Sequence, residues 1–169
     1  MPALEALLDR EIPSPAGPLR LREETAADAP FRFALFCEAR PELALLPLDP
    51  AMKERLLRQQ FQAQNAGYAA QHPGAANLIV ECSGAAVARL VLAQPGGALH
   101  IADIAVAASR RGGGMGAAVL SAVHDWARAM DMPVRLHVSR NNPAALRLYV
   151  RLGFVAVAEG AADIELEWK

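Results

Sequence analysis

The chain carries a run of glycines at Arg110-Arg111-Gly112-Gly113-Gly114-Met115-Gly116, directly after an apolar segment at 101–106 and directly before a helix-like repeat. A strand, a glycine turn and a helix start impose a particular local geometry. Glycine admits positive φ and lets the backbone approach a ligand closely. The first turn of the helix leaves its N–H groups without partners inside the helix. Such a junction is an anion site, suited to a phosphate or pyrophosphate.

The rest of the sequence reads as the frame around this junction. Residues 12–18 form a proline-rich joint, which separates a short helix-compatible tail (residues 1–17) from one domain expected over residues 18–169. Leu19 and Leu21 alternate with Arg20 and Arg22, as in a strand. Thr25 with Asp28 three residues on gives a helix start, and Asp49-Pro50 announces a second helix that Gly74 ends. Residues 78–82 and 87–92 flank a Ser83-Gly84 turn and predict a hairpin, followed by a strand over 98–106. Beyond the glycines, Met115, Val119, Val123, Trp126 and Met130 recur at three- and four-residue steps, the buried stripe of a long helix. A strand at 134–138, a helix capped by Asn142-Pro143, and strands at 154–157 and 164–168 complete the order. The fold class is α/β, with a mixed, mostly antiparallel central sheet and helices on both faces. A right-handed crossover through the long helix makes the strands at 98–106 and 134–138 parallel neighbours.

Composition narrows the function classes. With 169 residues the chain is long enough for a hydrophobic core without a staple, and its net charge of −1 offers no basic footprint for nucleic acid. Cys37 and Cys82 have no ligand spacing and read as buried apolar side chains of a reducing compartment. The N-terminus lacks the pattern of a signal peptide, and no apolar run is long enough for a membrane span, so a cytoplasmic location is the default expectation. His72, His124 and His137 have no evident partner, and no metal-ligand spacing occurs.

Two nucleotide-binding motifs fail at the glycine run. A P-loop needs Lys-Ser/Thr after its last glycine, whereas Gly116 precedes Ala117-Ala118-Val119. A dinucleotide fold places its glycine turn early in a βαβ unit, with an acidic residue at the end of the next strand. Here Asp131 falls before that strand, and three antiparallel strands precede the turn.

The segment from Val106 onward instead resembles the acyl-CoA signature of the GNAT superfamily of N-acetyltransferases. A strand ends in valine, four residues intervene, and Arg111, Gly112, Gly114 and Gly116 match Arg-Gly-x-Gly-x-Gly. A second motif follows in family order: Val138, Asn142, Ala145, Leu148-Tyr149 and Gly153-Phe154. The resemblance implies transfer of an acetyl group from acetyl-CoA to a primary amine by direct attack in a ternary complex, without a metal. Main-chain groups of Gly112, Gly113, Gly114, Met115, Gly116 and Ala117 would cradle the pyrophosphate, with Arg111 supporting the loop or the phosphates. Ile104, Ala105 and Val106 would hold the pantetheine arm and polarise the thioester carbonyl, while Asn142 and Ala145 would contact the cofactor.

The same resemblance makes Tyr149 the general acid for the departing thiolate. The general base stays open among Asp103, His100 and Glu81; alternation puts His100 and Asp103 on opposite faces of their strand. Acceptor recognition is expected from residues 25–72, where Glu38, Glu42 and Asp49 would attract a cationic amine and Gln60, Gln64 and Tyr68 share a helix face. The acceptor itself, a small-molecule amine or a protein amino group, stays open, as does the choice between monomer and homodimer. A non-catalytic acyl-CoA-binding module is the alternative from another class.

Overall fold

A computed structural model of the chain describes residues 4–8 and 10–169; residues 1–3 and 9 of the tail expected at 1–17 lie outside the described residues. The elements in order are α1 (Leu4–Leu8), β1 (Glu11–Ile12), β2 (Leu19–Glu23), α2 (Ala29–Glu38), α3 (Pro41–Ala44) and α4 (Pro50–Gln71). They continue with β3 (Ala76–Cys82), β4 (Ala85–Ala93), β5 (Leu99–Val106), α5 (Met115–Ala129), β6 (Val134–Ser139), α6 (Pro143–Arg151), β7 (Val155–Glu159) and β8 (Asp163–Trp168). One sheet collects all eight strands in the order β1-β2-β3-β4-β5-β6-β8-β7. Every neighbouring pair is antiparallel except β5 and β6, the pair joined by the α5 crossover.

Local chemistry accounts for most of these boundaries. The Thr25 backbone N–H and hydroxyl both donate to Asp28 Oδ2, at 2.8 and 3.1 Å, closing the turn that enters α2. Asp49 caps α4 by accepting from the Met52 N–H at 3.0 Å, with Pro50 at the first helical position. Asn142 does the same for α6 through the Ala145 N–H, at 3.1 Å. The tail does not trail from the domain as the proline joint suggests. Leu7 is fully buried, Ile12 nearly so, and β1 extends the edge of the sheet.

The two sheet faces have different characters. On one, Leu19, Leu21, Leu78, Leu90, Leu92, Ile101, Leu136 and Leu166 form a continuous core with Met115, Val119, Val123 and Trp126 of α5 and Tyr149 of α6. Each such side chain contributes roughly 1.5–3 kcal/mol by leaving water. The opposite face, beneath α2 and α4, is charged. There Arg22 bridges Asp28 and Glu81, and Glu24 bridges Arg32 and Arg89. Phe33, Phe36 and Phe61 join α2 to α4 by edge-on aromatic contacts at 5.5 and 5.4 Å.

A bulge in β5 corrects one expectation. The β4–β5 register passes from Val91↔Asp103 to Leu92↔Ile101, which makes Ala102 an extra residue. It resets the alternation: Asp103 and His100 lie opposite Val91 and Ala93, two positions on one face of β4. Both therefore occupy the α2/α4 face, not opposite ones.

Candidate functional site

The parallel pair β5–β6 is in register only at Leu99↔Val134, His100↔Arg135 and Ile101↔Leu136. Past Ile101 the two strands part, so residues 102–106 keep β4 on one edge and lose their neighbour on the other. The sheet opens there, and three cavities meet across the opening. The first, of about 480 Å³, lies against Val106, Arg111, Gly112, Gly114, Met115, Gly116 and Ala117 on one wall and Ala145 and Leu148 of α6 on the other. The second, of about 210 Å³, occupies the gap itself and is lined by Asp103, Ile104, His137, Asn142, Ala145 and Tyr149, among others. The third, of about 70 Å³, lies under α2 and α4 and includes Asp103, Ala105, Arg32, Arg40, Gln64 and Tyr68 in its wall. Ala145 is common to the first two, and Asp103 and Tyr68 to the last two. The series runs from one face of the sheet through the gap to the other.

The main chain of the glycine run leaves a cluster of donors open. The N–H groups of Gly112, Gly114, Met115, Gly116 and Ala117 have no hydrogen-bond acceptor among the described residues; Ala118 donates to the Gly114 carbonyl at 3.0 Å. Gly114 caps α5 with φ +77°, a left-handed conformation that glycine adopts without a Cβ penalty. The α5 dipole adds positive potential at the same point. Gly113 is turned away, toward Ala16 of the N-terminal segment. Arg111 braces the loop: its Nε donates to the Val106 carbonyl at 2.9 Å and its guanidinium lies 3.7 Å from Glu38.

Glu38 also accepts from the Ala108 N–H at 2.8 Å, so its carboxylate holds the loop and is not offered to a cationic amine. Asp49 is likewise occupied as the cap of α4, and neither it nor Glu42 lines the cavity under α2 and α4. Of the expected helix face, Gln64 and Tyr68 line that cavity and are bonded to each other, whereas Gln60 does not.

The three base candidates separate cleanly. Glu81 accepts from Arg22 at 2.7 Å and borders none of the three cavities. His100 is enclosed between His72 and His137, with ring centroids 5.5 Å away on either side; burial and the neighbouring imidazoles lower its pKa. Asp103 lines both the gap and the cavity beneath α2 and α4. Burial pushes its carboxyl above the usual range, opposed by the Arg89 guanidinium at 3.1 Å. Across the gap, Tyr149 packs edge-on against Phe154 at 5.6 Å, and burial, with the Asp103 charge adding to it, raises its phenol to about 12. It is a protonated donor at neutral pH.

Sequence reasoning passed over His137, Arg32, Arg40 and Arg89, all of which line these cavities. On β6 the apolar alternation of Val134, Leu136 and Val138 marks Arg135, His137 and Ser139 as the opposite face. No sequence signal says that this face meets the gap. Among the described residues, no group of three or more histidine, cysteine or acidic side chains is placed to hold a metal ion, and no helix is long and apolar enough to cross a membrane.

The profile of the acetyltransferase (GNAT) family matches residues 34–154, and the chain belongs to that family of acyltransferases. No protein of curated function matches the chain by sequence. Among solved structures, PaiA N-acetyltransferase from Thermoplasma acidophilum in complex with coenzyme A superposes with a TM-score of 0.68 at 13% identity, over 89% of this chain and 98% of that one. RimJ from Mycobacterium smegmatis, in complex with CoA-disulfide, gives 0.67 at 19% identity, over 94% and 85%. A chimeric spermidine N-acetyltransferase from Vibrio cholerae gives 0.60 at 19% identity, over 88% and 93%. At these identities the likeness is one of fold.

Proposed function

We propose that the protein transfers an acetyl group from acetyl-coenzyme A to a primary amine by direct attack in a ternary complex. The observation that carries this reading is the set of unsatisfied N–H groups at Gly112, Gly114, Met115, Gly116 and Ala117, whose residues line a cavity that leads to the gap between β5 and β6. A pyrophosphate would satisfy those donors, and the large cavity would take the pantetheine arm. The bound donor supplies an activated thioester.

The chain's own groups supply the remainder. The free edge of β5 at Ile104, Ala105 and Val106 offers main-chain donors along the arm, one of them toward the thioester carbonyl, where negative charge develops. The amine enters from the α2/α4 side. Asp103, at the boundary of the two inner cavities, takes its proton and leaves a nucleophilic lone pair. The new C–N bond forms as the C–S bond breaks, and Tyr149, on the far wall of the gap, protonates the departing thiolate. Positioning within one ternary complex contributes the entropic share of the acceleration.

Calorimetric titration with coenzyme A tests the cradle. The wild-type protein binds, and Gly116→Glu, whose Cβ meets Val106 and Leu148 only at ordinary contact distances, abolishes binding by placing a carboxylate in the cavity. Unchanged affinity in that variant removes the cradle from the site. Tyr149→Phe lowers thiol release by about 100-fold or more at unchanged coenzyme A affinity. A wild-type rate there removes Tyr149 from the mechanism.

A further inference from the structure

The cavity under α2 and α4 has an unbalanced charge. Three guanidinium groups, of Arg32, Arg40 and Arg89, stand in its wall with one carboxylate, Asp103. Glu24, just behind them, is shared between Arg32 at 2.8 Å and Arg89 at 2.9 Å, and Arg89 reaches Asp103 at 3.1 Å. Those two arginines and two acids neutralise one another. Arg40 has no carboxylate within ion-pair distance among the described residues: its guanidinium lies 3.9 Å over the Phe36 ring and its hydrogen bond is a long one, 3.4 Å, to the Phe36 carbonyl. The neighbouring acid, Glu38, is held by Arg111 and the Ala108 N–H. A second donor is also idle, because Arg32 Nε is buried without an acceptor.

A surplus positive charge and an unused N–H in a small cavity are completed by an anionic, hydrogen-bond-accepting group on the ligand. A polycationic acceptor would bring two or more positive charges to a wall that holds three guanidinium groups and a single carboxylate, so all but one of its charges would be repelled. The cavity's volume, about 70 Å³, suits a short acid, and Phe36, Phe61 and Tyr68 give its wall an aromatic side. Asp103 shares this wall with Arg40 and Arg32, so one small cavity holds both the group that would meet an amine and the groups that would hold an anion.

We infer that the acceptor is a small amino-carboxylic acid, whose carboxylate is held by Arg40 and Arg32 while its amine meets Asp103. The inference rests on the acetyl-transfer reading above and names the substrate class of that site. Arg40 becomes the residue that sets specificity.

Thiol release from acetyl-coenzyme A is measured with free α-amino acids, their carboxamides, the corresponding decarboxylated amines, and spermidine. The acids exceed their own amides in kcat/KM by about 10- to 100-fold, the factor for a hydrogen bond to a charged group. Arg40→Gln brings that ratio toward one while coenzyme A affinity stays at the wild-type value, and Arg40→Lys restores part of it. In a titration of the coenzyme A complex, N-acetylated acids bind more tightly than N-acetylated amides. Equal rates and binding for acid and amide, or a preference for the decarboxylated amines or spermidine, overturn the acceptor assignment and leave acetyl transfer standing. Tight coenzyme A binding without thiol release on any amine overturns acetyl transfer, and the acceptor assignment with it.

Discussion

The glycines of the cradle are chemically identical and structurally unlike, and single alanine substitutions separate them. At Gly114 the backbone sits at φ +77°, and an added Cβ lies 3.1 and 3.2 Å from two ring carbons of Pro15. A left-handed alanine costs about 1–2 kcal/mol. The stiffer unfolded chain returns about 0.4–1 kcal/mol, and the Pro15 ring must shift by a few tenths of an ångström. Gly114→Ala is therefore destabilised by about 1–2 kcal/mol, and a 169-residue domain loses about 2–4 °C in Tm per kcal/mol. At Gly112, φ is +79° but nothing lies within 4 Å of the added Cβ, so only the left-handed cost less the unfolded-chain return is left, a net loss of about 0.5–1 kcal/mol. At Gly116, inside the first turn of α5, the Cβ makes ordinary contacts and alanine is the better helix residue by about 0.5–1 kcal/mol. Thermal unfolding followed by circular dichroism places Gly116→Ala at or above the wild type, Gly112→Ala a degree or so to a few degrees below it, at about 2–4 °C per kcal/mol, and Gly114→Ala lowest. Equal Tm values for Gly114→Ala and Gly116→Ala would refute the argument that Pro15 and the left-handed cap distinguish these positions.

Further expectations concern protons. Asp103→Asn lowers kcat/KM at neutral pH by about 100-fold and removes the acidic limb of the pH profile, whereas Glu81→Gln leaves that limb in place; the opposite pattern would make Glu81 the base. The position of the limb in the wild type lies above that of an ordinary carboxylate, because burial raises Asp103. His124 is a stability switch. Stacked on Trp168 at 4.0 Å, with Nε2 buried and unbonded, it is held at about 4 by burial. Unfolded histidine takes its proton near 6.5, so the folded state is at full strength above that pH and loses up to roughly 3 kcal/mol as pH falls from 6.5 through 4. Denaturant midpoints across that window show the decline in the wild type and a flatter profile in His124→Phe; parallel profiles would exclude His124 as its source.

Elements whose causes are local were legible in the chain. The caps at Thr25, Asp49 and Asn142, the Ser83-Gly84 hairpin and the apolar stripe of α5 each depend on residues a few positions apart, and all appear where the spacing predicts. The short α3 and β1 carried no such pattern. Nothing in the spacing places β8 between β6 and β7, since strand order follows from which edges the core leaves to pair.

The cradle belongs to the first kind. Positive φ at glycine and free N–H groups in a first helical turn are properties of a few consecutive residues, so the open donors between Arg111 and Ala117 were legible in the sequence by itself. The two motifs in order also establish the family. The inner chemistry was decided by tertiary structure. One extra residue at Ala102 turns His100 and Asp103 to the same face, and pairings between residues 65 to 70 apart, Arg89 with Glu24 and Ala108 with Glu38, set which charges are spent. A charge is available to a ligand only when no partner neutralises it. That is a matter of distance in space: it leaves Glu81 paired with Arg22 away from the cavities, Asp103 at the gap but shared with Arg89, and Arg40 in the wall of the cavity under α2 and α4 with no acid within ion-pair distance among the described residues.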